Sequence, residues 1–322
     1  MTINTLIWPL LALIITSALL AWWLLPSSAS RFQLGLERRS SGLRHRVARV
    51  GDIEWHYLEG GQGHPLVLLH GFNADAYHFT RLARHLRHRF HLLAPDLPGF
   101  GETRFPDDIA FDIEAQATRL IDWLDALGIE RCYVGGNSMG GYLAAAVARI
   151  APDRIQALWL LAPGGLQEAP YAELFQEVAA GRHNPLVIRN QSDFDHLVDR
   201  CFVQRPWMPR PLQRHLAVRA AATWERSLSI FEALRFQSPP LESFAAELNL
   251  PTLLMWGDHD RVLHPDGMQL LAGLLPDHQS ILLQDTGHLP QLERPRECAL
   301  AWLQFTEKRG LSGSLAGQTQ SG

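Results

Sequence analysis

The sequence predicts an α/β protein with a mostly parallel sheet covered by helices on both faces. Three observations carry this. Short apolar runs bounded by Gly, Pro and Asp alternate with amphipathic stretches over residues 50–308. The runs are rich in Leu, Val and Ile without strict polar alternation, as strands buried on both faces are. The alternation breaks once, over residues 165–248, which are helical in pattern and too long for a loop.

The elements follow in order. Residues 6–25, LIWPLLALIITSALLAWWLL, carry no charge, and no Lys, Arg, Asp or Glu precedes Arg31. About twenty apolar residues rising about 1.5 Å each span about 30 Å, the thickness of a bilayer's hydrocarbon core. Trp8 and Trp22-Trp23 stand near the two ends as interfacial anchors, and Pro9 falls in the first turn. Residues 1–30 are therefore expected to form a transmembrane helix with a single N-terminal pass. The rival reading is a cleaved signal peptide. It calls for a positive start and a shorter core, both missing here, and its best cleavage site is Ser28-Ala29-Ser30. Ser17 and Ala21 form a small-residue pair that suits a homodimer through the transmembrane helix.

Residues 31–49 set Arg31, Arg38, Arg39, Arg44, Arg46 and Arg49 against one acid, Glu37, with Phe32, Leu34 and Leu36 interleaved. They read as a basic juxtamembrane segment on anionic membrane lipids, each basic residue contributing about 1 kcal/mol near the surface; the plainer reading is a solvated linker. These arginines favour a cytoplasmic side for the domain that follows by the positive-inside rule, whereas head-group binding on the periplasmic side would use the same charges.

GDIEWHYLEGG (residues 51–61) alternates apolar and polar and suggests a hairpin on a sheet edge. The strand-like runs are PLVLLH, HLLAPDL, RCYVGGN, IQALWLLAP, PTLLMWGD and SILLQDTG. The helical patterns between them include FTRLARHLRHRF, IEAQATRLIDWLDALG and RECALAWLQFTEK. Residues 50–164 and 249–309 are expected to form the core, residues 165–248 a helical cap or lid, and residues 310–322 a disordered polar tail.

Composition narrows the function. The chain has 322 residues, a net charge of −4 and 47% hydrophobic residues, which supports a sizeable core and argues against nucleic acid as a partner. Cys132, Cys201 and Cys298 are scattered, with neither metal spacing nor a disulfide framework, and read as buried small hydrophobes. Lys308 is the lone lysine, an arginine skew that fits a GC-rich bacterial genome.

The sharpest signal is GNSMGG, residues 136–141, between the strand-like CYV and the helix-like YLAAAVARI. A G-x-S-x-G between strand and helix forces the serine into strained dihedrals and lifts its hydroxyl clear of the sheet, while the glycines remove side chains that would clash. Ser138 is thus a candidate nucleophile above a helix N-terminus. Its hydroxyl needs a histidine base held by a carboxylate. His288 follows the last strand-like run and a glycine, where a parallel sheet places its chemistry. The run PTLLMWGDHDRV ends in Asp258 and Asp260. Asp260 is preferred because it can bend back toward the histidine, and Asp258 is read as shaping the turn. Two backbone N–H groups should form an oxyanion hole: Met139, directly after the serine, and Phe72, after PLVLLH. His70 and Gly71 are expected to shape the latter loop, and Asp96 to fix another.

LLHGF, DLPGFGET, GNSMGG, WGDHDRV and GHLPQLERP, in that order, resemble the α/β-hydrolase superfamily over residues 50–308. Within it, the N-terminal anchor, LHGFNADAYHF and APGGLQ resemble the membrane-anchored monoacylglycerol lipase branch and related bacterial membrane-bound lipases and phospholipases A. The resemblance implies an α/β-hydrolase fold and a serine carboxylester hydrolase that releases fatty acid from a lipid ester substrate through an acyl-enzyme. It implies a bacterial cytoplasmic-membrane location, with no cofactor and no metal. His70, Phe175, Phe202, Trp207 and Leu289 are candidate substrate-pocket residues, with Phe194, Trp224 and Phe231 as further cap aromatics. Carbon–carbon bond hydrolases of the superfamily share GNSMGG but carry an aromatic after the histidine, where this chain has Leu289. A general small-ester esterase is the other alternative.

Overall fold

The structure, a computed structural model, describes Ile7, Trp8, Thr16 and residues 26–311. Strands β1 (Leu43–Val50) and β2 (Ile53–Gly61) form an antiparallel hairpin that turns through Gly51, at φ 56°, and Asp52. β2 runs antiparallel to β4 (Phe90–Pro95). The strands β3 (His64–Leu69), β4, β5 (Cys132–Ser138), β6 (Ile155–Pro163), β7 (Thr252–Gly257) and β8 (His278–Leu283) are mutually parallel. The order is β1-β2-β4-β3-β5-β6-β7-β8.

Helix α1 (Pro26–Ser41) precedes the sheet, and α2 (Thr80–Leu86), α3 (Ile113–Ala126) and α4 (Met139–Ile150) fall between strands. Between β6 and β7 lie α5 (Glu173–Ala179), α6 (Gln191–Cys201), α7 (Arg210–Ala221) and α8 (Trp224–Phe236). Helix α9 (Asp266–Leu274) joins β7 to β8, and α10 (Pro290–Glu293) and α11 (Pro295–Lys308) follow.

Alternation along the strands divides the interior into two cores. Val67, Leu69, Val134, Leu158 and Leu160 face α3, α4 and α9. Leu66, Leu68, Tyr133, Trp159 and Leu161 face α2 and α11, where Trp159 stacks on Trp302 with ring centroids 5.0 Å apart. Both faces being covered explains why these strands read as continuous apolar runs.

One expectation changes in the N-terminal region. The sheet begins at Leu43, inside the stretch read as a juxtamembrane segment, and α1 precedes it. Glu37 on α1 accepts hydrogen bonds from the Thr80 hydroxyl (2.9 Å) and Arg81 Nε (3.2 Å), fastening α1 to α2. Arg46 pairs with Glu59 and Arg49 with Glu54 across the hairpin, so these two arginines brace a sheet edge. The predicted membrane span, residues 6–25, lies outside the described residues except for Ile7, Trp8 and Thr16. Among the described residues no helix is long and apolar enough to cross a membrane.

Candidate active site

The parallel strands end where the candidate residues gather. Ser138 ends β5 and caps α4 with φ 55° and ψ −120°, a conformation that L-residues rarely adopt. Strain of this kind costs on the order of 1–3 kcal/mol and persists only where the surroundings enforce it. Here they do. A Cβ on Gly136 would collide with the Gly140 backbone, and one on Gly140 with the Leu69 carbonyl. The Gly164 N–H donates to the Ser138 carbonyl at 2.8 Å. Gly140→Ala should therefore destabilise the protein by roughly 3 kcal/mol or more. A urea denaturation midpoint equal to wild type would contradict this packing account.

His288 and Asp260 are both buried and meet at 2.7 Å, Nδ1 to Oδ2. The other oxygen of Asp260, Oδ1, accepts the N–H groups of Val262 (2.8 Å) and Leu263 (2.9 Å). A carboxylate so held accepts the Nδ1–H of His288 and leaves Nε2 as the acceptor. Asp258 is engaged elsewhere: its Oδ1 accepts the Thr286 N–H at 3.2 Å and lies 2.7 Å from His259 Nδ1. The loop carrying His288 is fixed from two sides. The His288 N–H donates to the Cys201 carbonyl at the end of α6 (2.8 Å), and the His288 carbonyl accepts from Asn137 Nδ2 (3.0 Å).

Met139 is the first residue of α4, so its N–H has no partner within the helix and lies at the positive end of the helix dipole. The loop carrying Phe72 packs on the serine turn: a Cβ on Gly71 would touch the Ser138 Cβ at 3.3 Å. Asn73 in this loop has φ 53°. Its Nδ2 donates to the Leu186 carbonyl (2.7 Å), and its Oδ1 accepts from the Ser227 hydroxyl (2.9 Å).

Two cavities meet at the serine. The larger, about 460 Å³, is lined by Ser138 and His288 with Phe194, Phe202, Trp207 and Leu289, and extends to Gln33, Leu34 and Glu37 of α1. The smaller, about 110 Å³, contains Ser138, Phe175 and Phe231. Phe72 lines both. Trp207 is 78% exposed and stands at the rim rather than inside. Trp224 lies under the Arg189 guanidinium and lines neither cavity.

His70 shapes its loop and does not line the pocket, so only the second of its two expected roles is corrected. It is fully buried and lines neither cavity. Its Nδ1–H donates to the Gly71 carbonyl (2.7 Å) and its Nε2 accepts the Leu97 N–H (2.9 Å), so both ring nitrogens are spent on joining two loops. Burial pushes its pKa down to about 4, which keeps the ring neutral. Asp96 is likewise a loop acid: it accepts the N–H groups of Ala76 and Glu102, both at 2.8 Å, and burial raises its pKa to about 7.

The sequence alone assigns no role to Asn137 or Asn73. Asn137 is fully buried between Leu161 and His288, to whose carbonyls it donates at 3.0 Å each. Its signal was available: a polar side chain inside a buried strand must find partners. Asn73 gave no such signal, because both of its partners lie far along the chain.

A family model described as "alpha/beta hydrolase fold" matches residues 64–295, and the chain belongs to that family. Three of the similar proteins are lipid esterases by name. Lipase 1 of Psychrobacter immobilis is 35% identical over 76% of this chain and 77% of its own length. Monoacylglycerol lipase ABHD6 of Bos taurus is 29% identical over 94% of this chain and 92% of its own. The crystal structure of a membrane phospholipase A, described as a bacterial virulence factor, superposes with a TM-score of 0.86 at 37% identity, covering 94% of this chain and 98% of that one. The chain is a carboxylic ester hydrolase.

Proposed function

We propose that the chain is a membrane-anchored serine esterase that releases fatty acids from membrane-derived lipids, namely phospholipid, lysophospholipid or monoacylglycerol. The observation that carries this is the larger cavity: an apolar chamber with Ser138 and His288 in its wall, reaching α1, the helix that directly follows the uncharged segment of residues 6–25. An acyl chain drawn from a bilayer needs such a chamber beside the anchor. The names of the similar lipases and of the membrane phospholipase A support the same substrate class and a membrane location.

In this reading Ser138 Oγ attacks the ester carbonyl as His288 Nε2 takes its proton, with Asp260 holding Nδ1–H and stabilising the imidazolium. The N–H groups of Met139 and Phe72 receive the oxyanion. His288 then protonates the departing alcohol, leaving an acyl group on Ser138. Water attacks that ester with His288 again as base, and the fatty acid leaves. Asn73 and Asn137 position the Phe72 and His288 loops.

The test is fatty acid release by the full-length protein in mild detergent from monoacylglycerol, lysophospholipid and diacyl phospholipid, beside Ser138→Ala. Release from at least one, absent in the variant, is expected. Turnover of short soluble esters with no release from any lipid would overturn the lipid assignment. Deleting residues 2–25 should spare short-ester turnover and reduce hydrolysis of vesicle lipids by about tenfold or more, since the tether supplies the local concentration.

A further inference from the structure

The β1–β2 hairpin and the loop after β4 bring together three side chains that ester hydrolysis does not use. His45 Nε2 lies 3.1 Å from His56 Nδ1, and Glu102 Oε2 lies 3.6 Å from the former and 3.5 Å from the latter. In a tetrahedral zinc site, metal–ligand bonds of about 2.05 Å place neighbouring donor atoms about 3.3 Å apart. The three atoms thus form one face of such a tetrahedron. We propose that His45, His56 and Glu102 bind a divalent transition-metal ion of the zinc class, with water as the fourth ligand.

Two features beyond the spacing support a built site. His56 Nε2 lies 3.3 Å from Glu54 Oε1, so its N–H points at a carboxylate and its Nδ1 lone pair is turned toward the other two donors. Metal-bound imidazoles are oriented in this way. The backbone carrying the ligands is also fixed. The Glu102 N–H donates to Asp96 Oδ2 (2.8 Å), and the His56 N–H donates to the hydroxyl of Thr103 (3.0 Å). Glu54 and Arg104 exchange two backbone hydrogen bonds, at 2.9 and 3.1 Å. Two imidazoles and one carboxylate suit zinc, nickel or copper better than calcium or magnesium.

The site has a consequence for the cavity. Gly99, Phe100 and Gly101, which line the larger chamber, directly precede Glu102. An ion at Glu102 ties that wall to the sheet edge.

The competing account is an N–H···N hydrogen bond between the two imidazoles, with no ion. Titration of the full-length, EDTA-stripped protein separates the two. Calorimetry should show one Zn²⁺ per chain with a Kd on the order of 1 µM or tighter. Co²⁺ should give the visible absorption of a tetrahedral site. His45→Gln and Glu102→Gln alter partly exposed side chains outside the ester-hydrolysing site. Both should keep the wild-type circular dichroism and metal-free esterase rate, yet weaken Zn²⁺ binding by about tenfold or more. A wild-type Kd weaker than about 100 µM, or equal binding by wild type and both variants, would overturn the proposal in favour of the hydrogen-bonded pair. Because the readout is metal binding, it stands or falls separately from the lipid substrate.

Discussion

Ser138→Ala is expected to lower kcat for ester hydrolysis by about 10⁴- to 10⁶-fold while leaving the fold intact. The loss is large because the serine has no neighbouring substitute, and the histidine and oxyanion donors gain nothing from water in its place. The variant keeps a Cβ at φ 55°, so the strained turn remains and the thermal midpoint should move little. Circular dichroism and a melting curve, run beside the rate assay, separate lost chemistry from lost structure. A rate within about tenfold of wild type would remove Ser138 from the mechanism.

Asp260→Asn should cost about 10⁴-fold in kcat. The direction follows from the hydrogen bonds. Oδ1 of residue 260 accepts two backbone N–H groups, so an asparagine keeps its carbonyl oxygen there and turns its NH₂ toward His288. The imidazole must then accept at Nδ1 and carry its proton on Nε2, which cannot take a proton from Ser138. Geometry is preserved and the tautomer is wrong. Asp258→Asn is the matched control. Its carboxylate serves Thr286 and His259, so kcat should change by less than about threefold. Equal losses in the two variants would contradict the assignment of Asp260.

How far the sequence shows all this depends on how local each signal is. The parallel strands are legible because burial on both faces leaves unbroken Leu/Val/Ile runs, as in residues 66–69. The serine turn is legible because its glycines and serine stand together in Gly136–Gly141; the clash that Gly136 answers lies inside that turn, whereas Gly140 and Gly141 also make room for Leu69 and Pro163 from other strands. His288 and the Asp258–Asp260 pair are reachable by position, since they follow the neighbouring parallel strands β8 and β7, and the 2.7 Å contact with His288 is what singles out Asp260. The first strand is not legible. Its Arg44, Arg46 and Arg49 are exposed on an edge strand, and this charge looks like a lipid-facing segment until Glu54 and Glu59 appear opposite. For His70 the sequence leaves two readings open, loop-shaping and pocket-lining, and only the fold supplies the Leu97 N–H that occupies its second nitrogen and decides for the loop. The His45, His56 and Glu102 cluster is a product of strand register and one loop, and no local spacing announces it.

The most direct measurement is to label the full-length protein in detergent with a fluorophosphonate and locate the adduct by peptide mass mapping. One adduct is expected, on Ser138, forming rapidly in wild type and far more slowly in Asp260→Asn, with lipid hydrolysis lost in step with labelling. An adduct on another residue, or lipid hydrolysis that persists after Ser138 is fully labelled, would contradict Ser138 as the nucleophile.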